Sequence, residues 1–325
     1  MRRFLPALLL VLATGVAPRV ALAAEVAIKA YALPAGGGHP HDVAVEASGI
    51  VWYTAQHDGK LGRLDPATGK VDLVPLGRGS RPHGVIIGPD GHAWVTDGGQ
   101  NAIAKVDVKT RAVKVWKLPQ GRGYANLNTA SFDKRGRIWF TGQSGIYGVL
   151  DPASGKMQVW DAPQGRGPYG ITTTPGGDVY YASLAGDHIA RIDIETGKVT
   201  VIEPPTKEQG ARRVWSDSKG RIWVSEWNAG NLSRYDPVTN AWRTWKLPGA
   251  SPHVYAVYVD AKDIVWVSEW TANAIVRFDP ATGKFQVFPS DKADANVRQL
   301  LGRPGEVWAP ESGAYRLVVY RTRPQ

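Results

Sequence analysis

Histidine residues that follow proline are the first candidates for chemistry in this chain. Three of the seven histidines, His41, His83 and His253, lie in Pro-His dipeptides. An imidazole can accept or donate a proton near pH 7, and it can also bind a metal ion. Asp97 follows His83 by 14 residues and adds a carboxylate. These residues could support acid–base catalysis or metal binding if the fold brings them together.

The segments that contain these histidines are copies of one sequence unit. RPHGVIIGPDGHAWVTD begins at Arg81, and a related segment, HPHDVAVEASGIVWYTA, begins at His39. The aromatic residue of the second apolar run recurs at intervals of 41 to 45 residues, as Trp52, Trp94, Trp139, Tyr180, Trp223, Trp266 and Trp308. A period of about 40–45 residues with several short strands per unit is typical of a β-propeller. The sequence therefore predicts an all-β fold, a seven-bladed β-propeller of four-stranded blades over residues 26–321.

Closure of the ring is also predictable from the two ends of the repeat region. The seventh unit ends before a fourth strand, whereas the segment Val26 to Pro34 resembles an isolated fourth strand. Because an open sheet edge promotes aggregation, we expect this segment to pair with the strand around Leu317 to Tyr320. The repeated aromatic residues are expected to pack between blades, where large rings fill the wedge between sheets.

Propeller geometry predicts which polar residues meet at one mouth of the central channel. The first strand of each blade lines the channel and the second returns antiparallel, so the start of one lies near the end of the other. An inner ring is expected 11 residues before each repeated aromatic residue, comprising His41, His83, Asn128, Tyr169, Arg212, Tyr255 and Val297. A neighbouring ring is expected 3 residues after it, comprising Ala55, Asp97, Gly142, Ser183, Glu226, Glu269 and Glu311. His253, Trp227 and Trp270 are expected at the same mouth.

The N-terminus predicts export. Arg2 and Arg3 precede an apolar run from Phe4 to Val16, and Ala21-Leu22-Ala23 offers a small-x-small cleavage site. The run is shorter than the roughly 20 residues that span a bilayer, so residues 1–23 are predicted to be a signal peptide cleaved near Ala23 or Ala24, with no membrane span after cleavage. The chain has no cysteine, which excludes thiol chemistry and fits a periplasmic or secreted protein.

Charge and composition limit the partners. The formal charge is +10, but no run of five or more Lys and Arg residues occurs, so nucleic-acid binding is not predicted. A small-molecule or peptide ligand at the channel mouth is expected, and the protein is expected to be a monomer.

Three of the repeat segments resemble the virginiamycin B lyase family, the streptogramin lyases. They are RPHGVIIGPDGHAWVTD, GRIWVSEWNAGNLSRYD and DIVWVSEWTANAIVRFD, and the resemblance extends over about Ile28 to Tyr320. It implies a seven-bladed propeller that opens a cyclic depsipeptide by elimination across the ester C–O bond, with Mg²⁺ and without consuming water. It further implies that His83 is a general acid or base, that His41 contacts the substrate in the catalytic site and that Asp97 assists Mg²⁺ or another divalent cation, with no organic cofactor. Two residues before His83, where the family has a metal-binding Glu, the chain has Arg81.

Three functions are compatible with these residues. The first is an exported carbon–oxygen lyase that acts on an ester or lactone-containing substrate. The second is a lactonase-type metal hydrolase in which Glu226, Glu269 and Glu311 hold the cation. The third is a rim that binds a small molecule, peptide, glycan or partner protein without catalysis. The residues expected to contact a substrate or ligand are His253, Tyr169, Arg212, Tyr255, Asn128, Trp227 and Trp270, and those expected to hold a metal are Asp97, Glu226, Glu269 and Glu311.

Overall fold

Each sequence repeat folds as one four-stranded antiparallel sheet, and seven such blades follow one another around a channel. A computed structural model describes residues 26–322, which contain 28 strands and a short 3₁₀ helix, Gln56–Asp58. The predicted signal peptide, residues 1–23, lies outside this part of the chain. Within residues 26–322, no helix has the length and apolar character needed to cross a membrane. The predicted seven-bladed β-propeller is confirmed.

The strands are numbered in chain order. Blades I and II contain β2 (Pro40–Val45), β3 (Val51–Ala55), β4 (Lys60–Leu64), β5 (Val71–Pro75), β6 (Pro82–Ile87), β7 (Ala93–Asp97), β8 (Ala102–Val106) and β9 (Val113–Lys117). Blades III and IV contain β10 (Leu127–Phe132), β11 (Ile138–Gly142), β12 (Ile146–Leu150), β13 (Met157–Asp161), β14 (Pro168–Thr173), β15 (Val179–Ser183), β16 (His188–Ile192) and β17 (Val199–Ile202). Blades V and VI contain β18 (Ala211–Ser216), β19 (Ile222–Glu226), β20 (Asn231–Asp236), β21 (Ala241–Lys246), β22 (Val254–Val259), β23 (Val265–Glu269), β24 (Ala274–Asp279) and β25 (Lys284–Pro289). Blade VII contains β26 (Leu301–Arg303), β27 (Glu306–Glu311), β28 (Arg316–Thr322) and, as its outermost strand, β1 (Val26–Ala32).

The two ends of the described chain close the ring in blade VII. Strand β1 pairs antiparallel with β28 from Val26 opposite Thr322 to Ala32 opposite Arg316. Seven consecutive residue pairs cover what would otherwise be an exposed edge of β28. The predicted pairing of the N-terminal segment with the last strand is therefore confirmed.

The repeated aromatic residues lie between blades, as predicted. Trp94 of blade II packs against Leu127 and Phe140 of blade III, and Trp308 of blade VII packs against blade I. Most of the indoles also donate their N–H to an acid in the turn between the first two strands, for example Trp94 to Asp90 at 3.0 Å. The acid satisfies the polar atom of an otherwise buried ring, so each aromatic residue can fill the wedge without an unpaired donor.

A hydroxyl two residues after most of the aromatic residues anchors the inner ring. Thr54 Oγ1 accepts the backbone N–H of Asp42 at 2.9 Å within its own blade and donates to the backbone carbonyl of His83 in the next blade at 2.8 Å. Equivalent hydroxyls that bond to the next blade belong to Thr96, Thr141, Ser225 and Ser268. The pairing between β2 and β3 shifts register between Pro40 and Val43. At this shift the Thr54 hydroxyl, instead of a backbone carbonyl of β3, accepts the backbone N–H of Asp42. The inner-ring residues thus lie in bulges that neighbouring blades hold in place.

Candidate functional site

The inner-ring residues converge at the channel mouth where the first strands begin, which we call the histidine mouth. The rings of His41 and His83 lie 3.9 Å apart between centroids, and both side chains are buried, at 4% and 5% exposure. The ring of Tyr169 meets His83 edge-on at 6.3 Å. Residues far apart in the sequence therefore form one cluster, in the arrangement that the repeat spacing predicts.

The protonation of His41 is fixed by a buried acid. Its Nδ1 lies 2.7 Å from Asp42 Oδ1, and Arg213 Nη2 lies 3.0 Å from the same oxygen. Because the carboxylate can only accept, His41 carries its proton on Nδ1, and Nε2 is left as the basic nitrogen. Asp42 and Arg213 sit in blades I and V and form an ion pair across the channel.

The protonation of His83 is fixed by a chain of hydrogen bonds that begins at the same ion pair. Arg213 donates to Thr129 Oγ1 at 3.0 Å, and Thr129 donates to Asn128 Oδ1 at 2.6 Å. The Asn128 amide nitrogen then faces His83 Nε2 at 3.2 Å. His83 Nε2 must accept this bond, so its proton lies on Nδ1, which is buried and has no partner among the described residues. The two imidazoles are therefore complementary, with a free acceptor on His41 and a free donor on His83.

Both imidazoles are held in the neutral form. Burial, followed by the charge of Arg213, holds the pKa of His41 well below its usual value of 6.5. Burial and the neighbouring His41 likewise hold the pKa of His83 well below that value, although Asp42 opposes the shift. Neutral imidazoles at neutral pH can exchange protons with a substrate, whereas two imidazolium ions at this separation would repel each other.

Two tyrosines and an arginine complete the mouth opposite the histidines. The hydroxyls of Tyr169 and Tyr255 hydrogen-bond to each other, and Arg212 Nη2 donates to the Tyr169 hydroxyl at 3.2 Å. Burial would raise the pKa of Tyr169, but the charges of Arg212 and Arg213 outweigh it and lower the pKa. Burial raises the pKa of Tyr255. Tyr169 is therefore the more acidic hydroxyl of the pair and the better proton donor.

Trp227, Trp270 and His253 extend the mouth as an aromatic wall. The Arg212 guanidinium lies over the rings of Tyr255 and Trp227, at 3.5 Å and 4.4 Å from their centroids. Trp270 stacks on Tyr255 at 5.1 Å, and Trp227 meets Trp270 edge-on at 5.4 Å. His253 lies 5.0 Å from Trp227 and bonds through Nδ1 to the Thr271 hydroxyl at 2.9 Å. Six of the seven predicted ligand-contact residues are thus grouped on one side of the channel, whereas Asn128 bonds to His83.

The four acids predicted to hold a metal are not gathered there. Asp97 is fully buried and accepts hydrogen bonds from the Ser80 hydroxyl and the backbone N–H groups of Arg81 and Gln100. Glu269 accepts from three backbone N–H groups, those of His253, Thr271 and Ala272. Each carboxylate accepts hydrogen bonds from the loop beside its own strand and holds that loop in place, because buried loop N–H groups require acceptors.

Glu226 and Glu311 are also held within their own surroundings. Glu226 accepts from Asn231 at 2.8 Å and from the Ser233 hydroxyl, and burial raises its pKa. Glu311 accepts from the Ser290 hydroxyl at 2.9 Å and forms an ion pair with Arg316. No three of the four predicted ligands lie close enough to share one ion among residues 26–322. Glu226, Glu269 and Glu311, the expected ligands of the lactonase-type alternative, are therefore not gathered around one position in the described part of the chain.

The donors present do not fit Mg²⁺. The one group of three close ligand residues among those described is His41, Asp42 and His83. It offers a single carboxylate, which Arg213 already binds, whereas Mg²⁺ requires oxygen ligands in octahedral geometry. Arg81 is exposed, stands where the family has a metal-binding Glu and uses its backbone N–H to bind Asp97. An added cation would lie beside the Arg213 guanidinium and be repelled by it.

Asp42, Arg213 and Thr129 were not predicted. They occupy the position directly after the inner ring, 10 residues before the repeated aromatic. A signal was present: this position carries a charge in three blades, Asp42, Arg213 and Arg298, and a small residue in the other four. A register shift at the start of six of the seven first strands allows two consecutive residues to reach the channel.

Comparisons with known proteins agree with this fold and family. The profile of the virginiamycin B lyase family matches residues 13–253. A streptogramin B lyase structure has a TM-score of 0.84 at 22% identity, covering 92% of this chain and 98% of that one. A catalytically inactive variant of virginiamycin B lyase from Staphylococcus aureus with quinupristin has a TM-score of 0.85 at 20% identity, covering 92% and 100%.

A further similar structure is the extracellular domain of what is described as a one component system from B. thetaiotaomicron. It has a TM-score of 0.73 at 14% identity and covers 91% of this chain and 40% of that one. The comparison with curated proteins found no match. The family profile spans well over half of the sequence, and the chain therefore belongs to the virginiamycin B lyase family.

Proposed function

We propose that the protein is a carbon–oxygen lyase that acts at the histidine mouth without a divalent cation. The observation that carries this proposal is the pair of buried imidazoles 3.9 Å apart, whose hydrogen-bond partners assign them complementary protonation. One offers a basic nitrogen and the other an N–H donor, which are the two groups that an elimination needs. Family membership and the likeness to streptogramin B lyase support the reaction class.

In the proposed reaction, His41 Nε2 removes a proton from the carbon next to a carbonyl. The electron pair of that C–H bond forms a C=C bond, and the adjacent C–O bond breaks. The carboxylate leaves with the electron pair of the broken bond, and His83 Nδ1–H donates a hydrogen bond to it. The reaction consumes no water: one ester gives an alkene and a carboxylate, and the proton taken from carbon stays on His41 Nε2 until it is released to solvent.

Arg212 supplies the positive charge that stabilises the enolate. Its guanidinium lies at the mouth, where it donates to the Tyr169 hydroxyl and lies 3.5 Å from the ring centroid of Tyr255. A fixed cation in a site shielded from water stabilises developing negative charge without reorganisation during the reaction. In this proposal Arg212 has the electrostatic role that a divalent cation has in the family.

The substrate class follows from the walls of the mouth. Trp227 and Trp270 offer aromatic surface for a ring-bearing small molecule or peptide that contains an ester or lactone. We propose that it acts in the periplasm or outside the cell, since the first 23 residues have the pattern of a signal peptide. The similar extracellular domain agrees with such a location.

Product masses test the reaction directly. We expect quinupristin, or a related cyclic ester, to be converted to a linear product of unchanged mass, whereas hydrolysis would add one water. His41→Ala and His83→Ala should each lower the rate at least 100-fold. His92→Ala, which changes a histidine on a surface turn of blade II, serves as the matched control and should have little effect. EDTA should leave the rate unchanged.

The pH dependence gives a second readout. Because the pKa of His41 is held below 6.5, the base stays deprotonated in mildly acidic solution, and activity should persist well below pH 6.5 before it declines. Loss of activity in EDTA, restored by Mg²⁺, would refute the metal-free mechanism. A product heavier by one water would refute elimination.

Ligand binding without catalysis is the second candidate, and one observation favours it. The Tyr169 and Tyr255 hydroxyls bond to each other and the Arg212 guanidinium covers Tyr255, so these side chains already occupy part of the mouth. Saturable binding of a cyclic ester that requires Trp227 and Trp270, with no product formed, would support this function over the lyase. The lactonase-type alternative has no such support, because its three carboxylates are each held by their own blades.

A further inference from the structure

The opposite mouth of the channel contains a cavity that the proposed reaction does not use. Its volume is about 660 Å³, and it is lined by the last residues of the first strands and the turns that follow them, including Ile87, Phe132, Thr173, Trp215, Tyr258 and Leu301. We call it the far cavity. Ile87 is the last residue of β6, and four residue steps of about 3.3 Å from His83 place it roughly 13 Å further along the channel wall. The far cavity is therefore a separate compartment from the histidine mouth.

The floor of the far cavity carries no net charge. Asp42 and Arg213 are the two charged residues among those that line it, and they are paired with each other at 3.0 Å. A charged ligand would have to compete with this ion pair or be buried without a partner, which is costly. The cavity therefore favours an uncharged ligand.

One polar group at the floor lacks a partner. Arg213 donates through its two Nη atoms to Asp42 and Thr129, but its Nε has no hydrogen-bond partner among residues 26–322 and is buried. A buried donor without an acceptor is unfavourable, so an acceptor oxygen on a ligand would be stabilised there. The Ser131 and Thr173 hydroxyls, by contrast, already bond to each other at 2.8 Å.

The walls offer aromatic and aliphatic surface. Trp215 and Tyr258 meet edge-on at 5.1 Å, and Trp215, Phe132 and Leu301 are each only half-buried. A volume of about 660 Å³ lies within the range of roughly 300–1,000 Å³ that small-molecule sites occupy. An apolar wall above a single unpaired donor is the composition of a site that holds a ring and orients it by one hydrogen bond.

We propose that the far cavity binds an uncharged small molecule with an aromatic body and one acceptor oxygen, to which Arg213 Nε donates a hydrogen bond. The Asp42–Arg213 ion pair is shared with the histidine mouth, so the two sites are tested separately by substitutions that lie away from this pair.

A pair of matched probes tests both the place and the acceptor. Benzophenone has a carbonyl oxygen between two rings, and diphenylmethane has a CH₂ group in its place. Titration followed by tryptophan fluorescence and by calorimetry should show saturable binding of benzophenone, with at least a fivefold weaker affinity for diphenylmethane. Thr173→Trp, which fills the cavity, should weaken benzophenone binding at least tenfold. Trp227→Ala, a change at the histidine mouth, should leave it unchanged.

Three outcomes would overturn the proposal. The first is the absence of saturable binding of either probe up to its solubility limit. The second is equal affinity for the two probes, which would remove the role of the acceptor. The third is binding that survives Thr173→Trp but is lost in Trp227→Ala, which would place the probe at the histidine mouth. Circular dichroism of both variants checks that a loss of binding does not reflect loss of folding.

Discussion

The ion pair between Asp42 and Arg213 allows a sharp test of how the histidine mouth is organised. Arg213→Met removes the guanidinium and leaves the Asp42 carboxylate buried at 1% exposure, with its remaining partner the neutral His41. Breaking one side of a buried ion pair costs about 3–5 kcal/mol of stability. We therefore expect the free energy of unfolding to fall by about that amount near pH 8.

The loss in free energy of unfolding caused by Arg213→Met should become smaller as the solution is acidified. In the wild type, the pKa of His41 lies below its unfolded value of 6.5, so this residue costs stability as the pH falls below 6.5. In the variant, the unpaired carboxylate should raise the pKa of His41 above 6.5. The stabilisation of the folded variant by protonated His41 is then fully present below pH 6.5, and it is lost as the pH rises through the pKa of His41 in the folded state. The folded variant then binds one more proton than the wild type, which reduces the difference in stability by about 1.4 kcal/mol per pH unit.

Urea unfolding followed by tryptophan fluorescence between pH 8 and pH 5 measures this difference. Arg243→Met, which changes an exposed arginine of β21, is the matched control and should give a small difference that is the same at every pH. The double variant Asp42→Asn with Arg213→Met should recover part of the loss, because no buried charge remains. A cost in Arg213→Met that stays constant from pH 8 to pH 5 would refute the view that Arg213 keeps His41 neutral.

Three further substitutions test the supporting structure by urea unfolding. Thr54→Val removes the hydroxyl that joins Asp42 N–H to the His83 carbonyl and should cost about 1–3 kcal/mol, since two buried polar groups lose a partner. Tyr31→Ala, in the closing strand, removes a ring stacked 5.6 Å from Trp308 and should cost about 3 kcal/mol, whereas Ile28→Ala, at an exposed position, should cost little. Glu269→Gln should cost about 1–3 kcal/mol, because it replaces one of the oxygens that accept loop N–H groups, and Mg²⁺ should leave the melting temperatures of both the wild type and this variant unchanged. Stabilisation by Mg²⁺ that Glu269→Gln abolishes would contradict the structural role of this acid.

Residue spacing was enough to predict the inner ring. A constant period places each blade at a fixed angle around the channel, so a fixed offset from the repeated aromatic specifies one height in the channel. His41, His83, Tyr169 and Tyr255 meet for this reason. The closing strand was predictable in the same way, from the missing fourth strand of the seventh unit.

The direction of the carboxylates was not predictable from spacing. The offset placed Asp97 and Glu269 at the ends of second strands, but it did not show that loop N–H groups would bind their oxygens. Asp42 and Arg213 were missed because alternation along a strand predicts that consecutive residues face opposite sides. The register shift at the start of the first strands removes that alternation where the site is built.

Hydroxyl groups of one blade hold the main chain of the inner-ring residue in the next blade, so the supporting group and the side chain at the mouth belong to different repeats. Thr54 of blade I holds the backbone at His83 of blade II, and Ser225 of blade V holds the backbone at Tyr255 of blade VI. A side chain at the mouth can thus be exchanged without touching the group that fixes its main chain, which belongs to the preceding repeat. Conversely, a substitution that removes the hydroxyl of one blade should displace the inner-ring side chain of the next blade. Activity assays of single-site variants would then report a defect at a residue one blade away from the substitution.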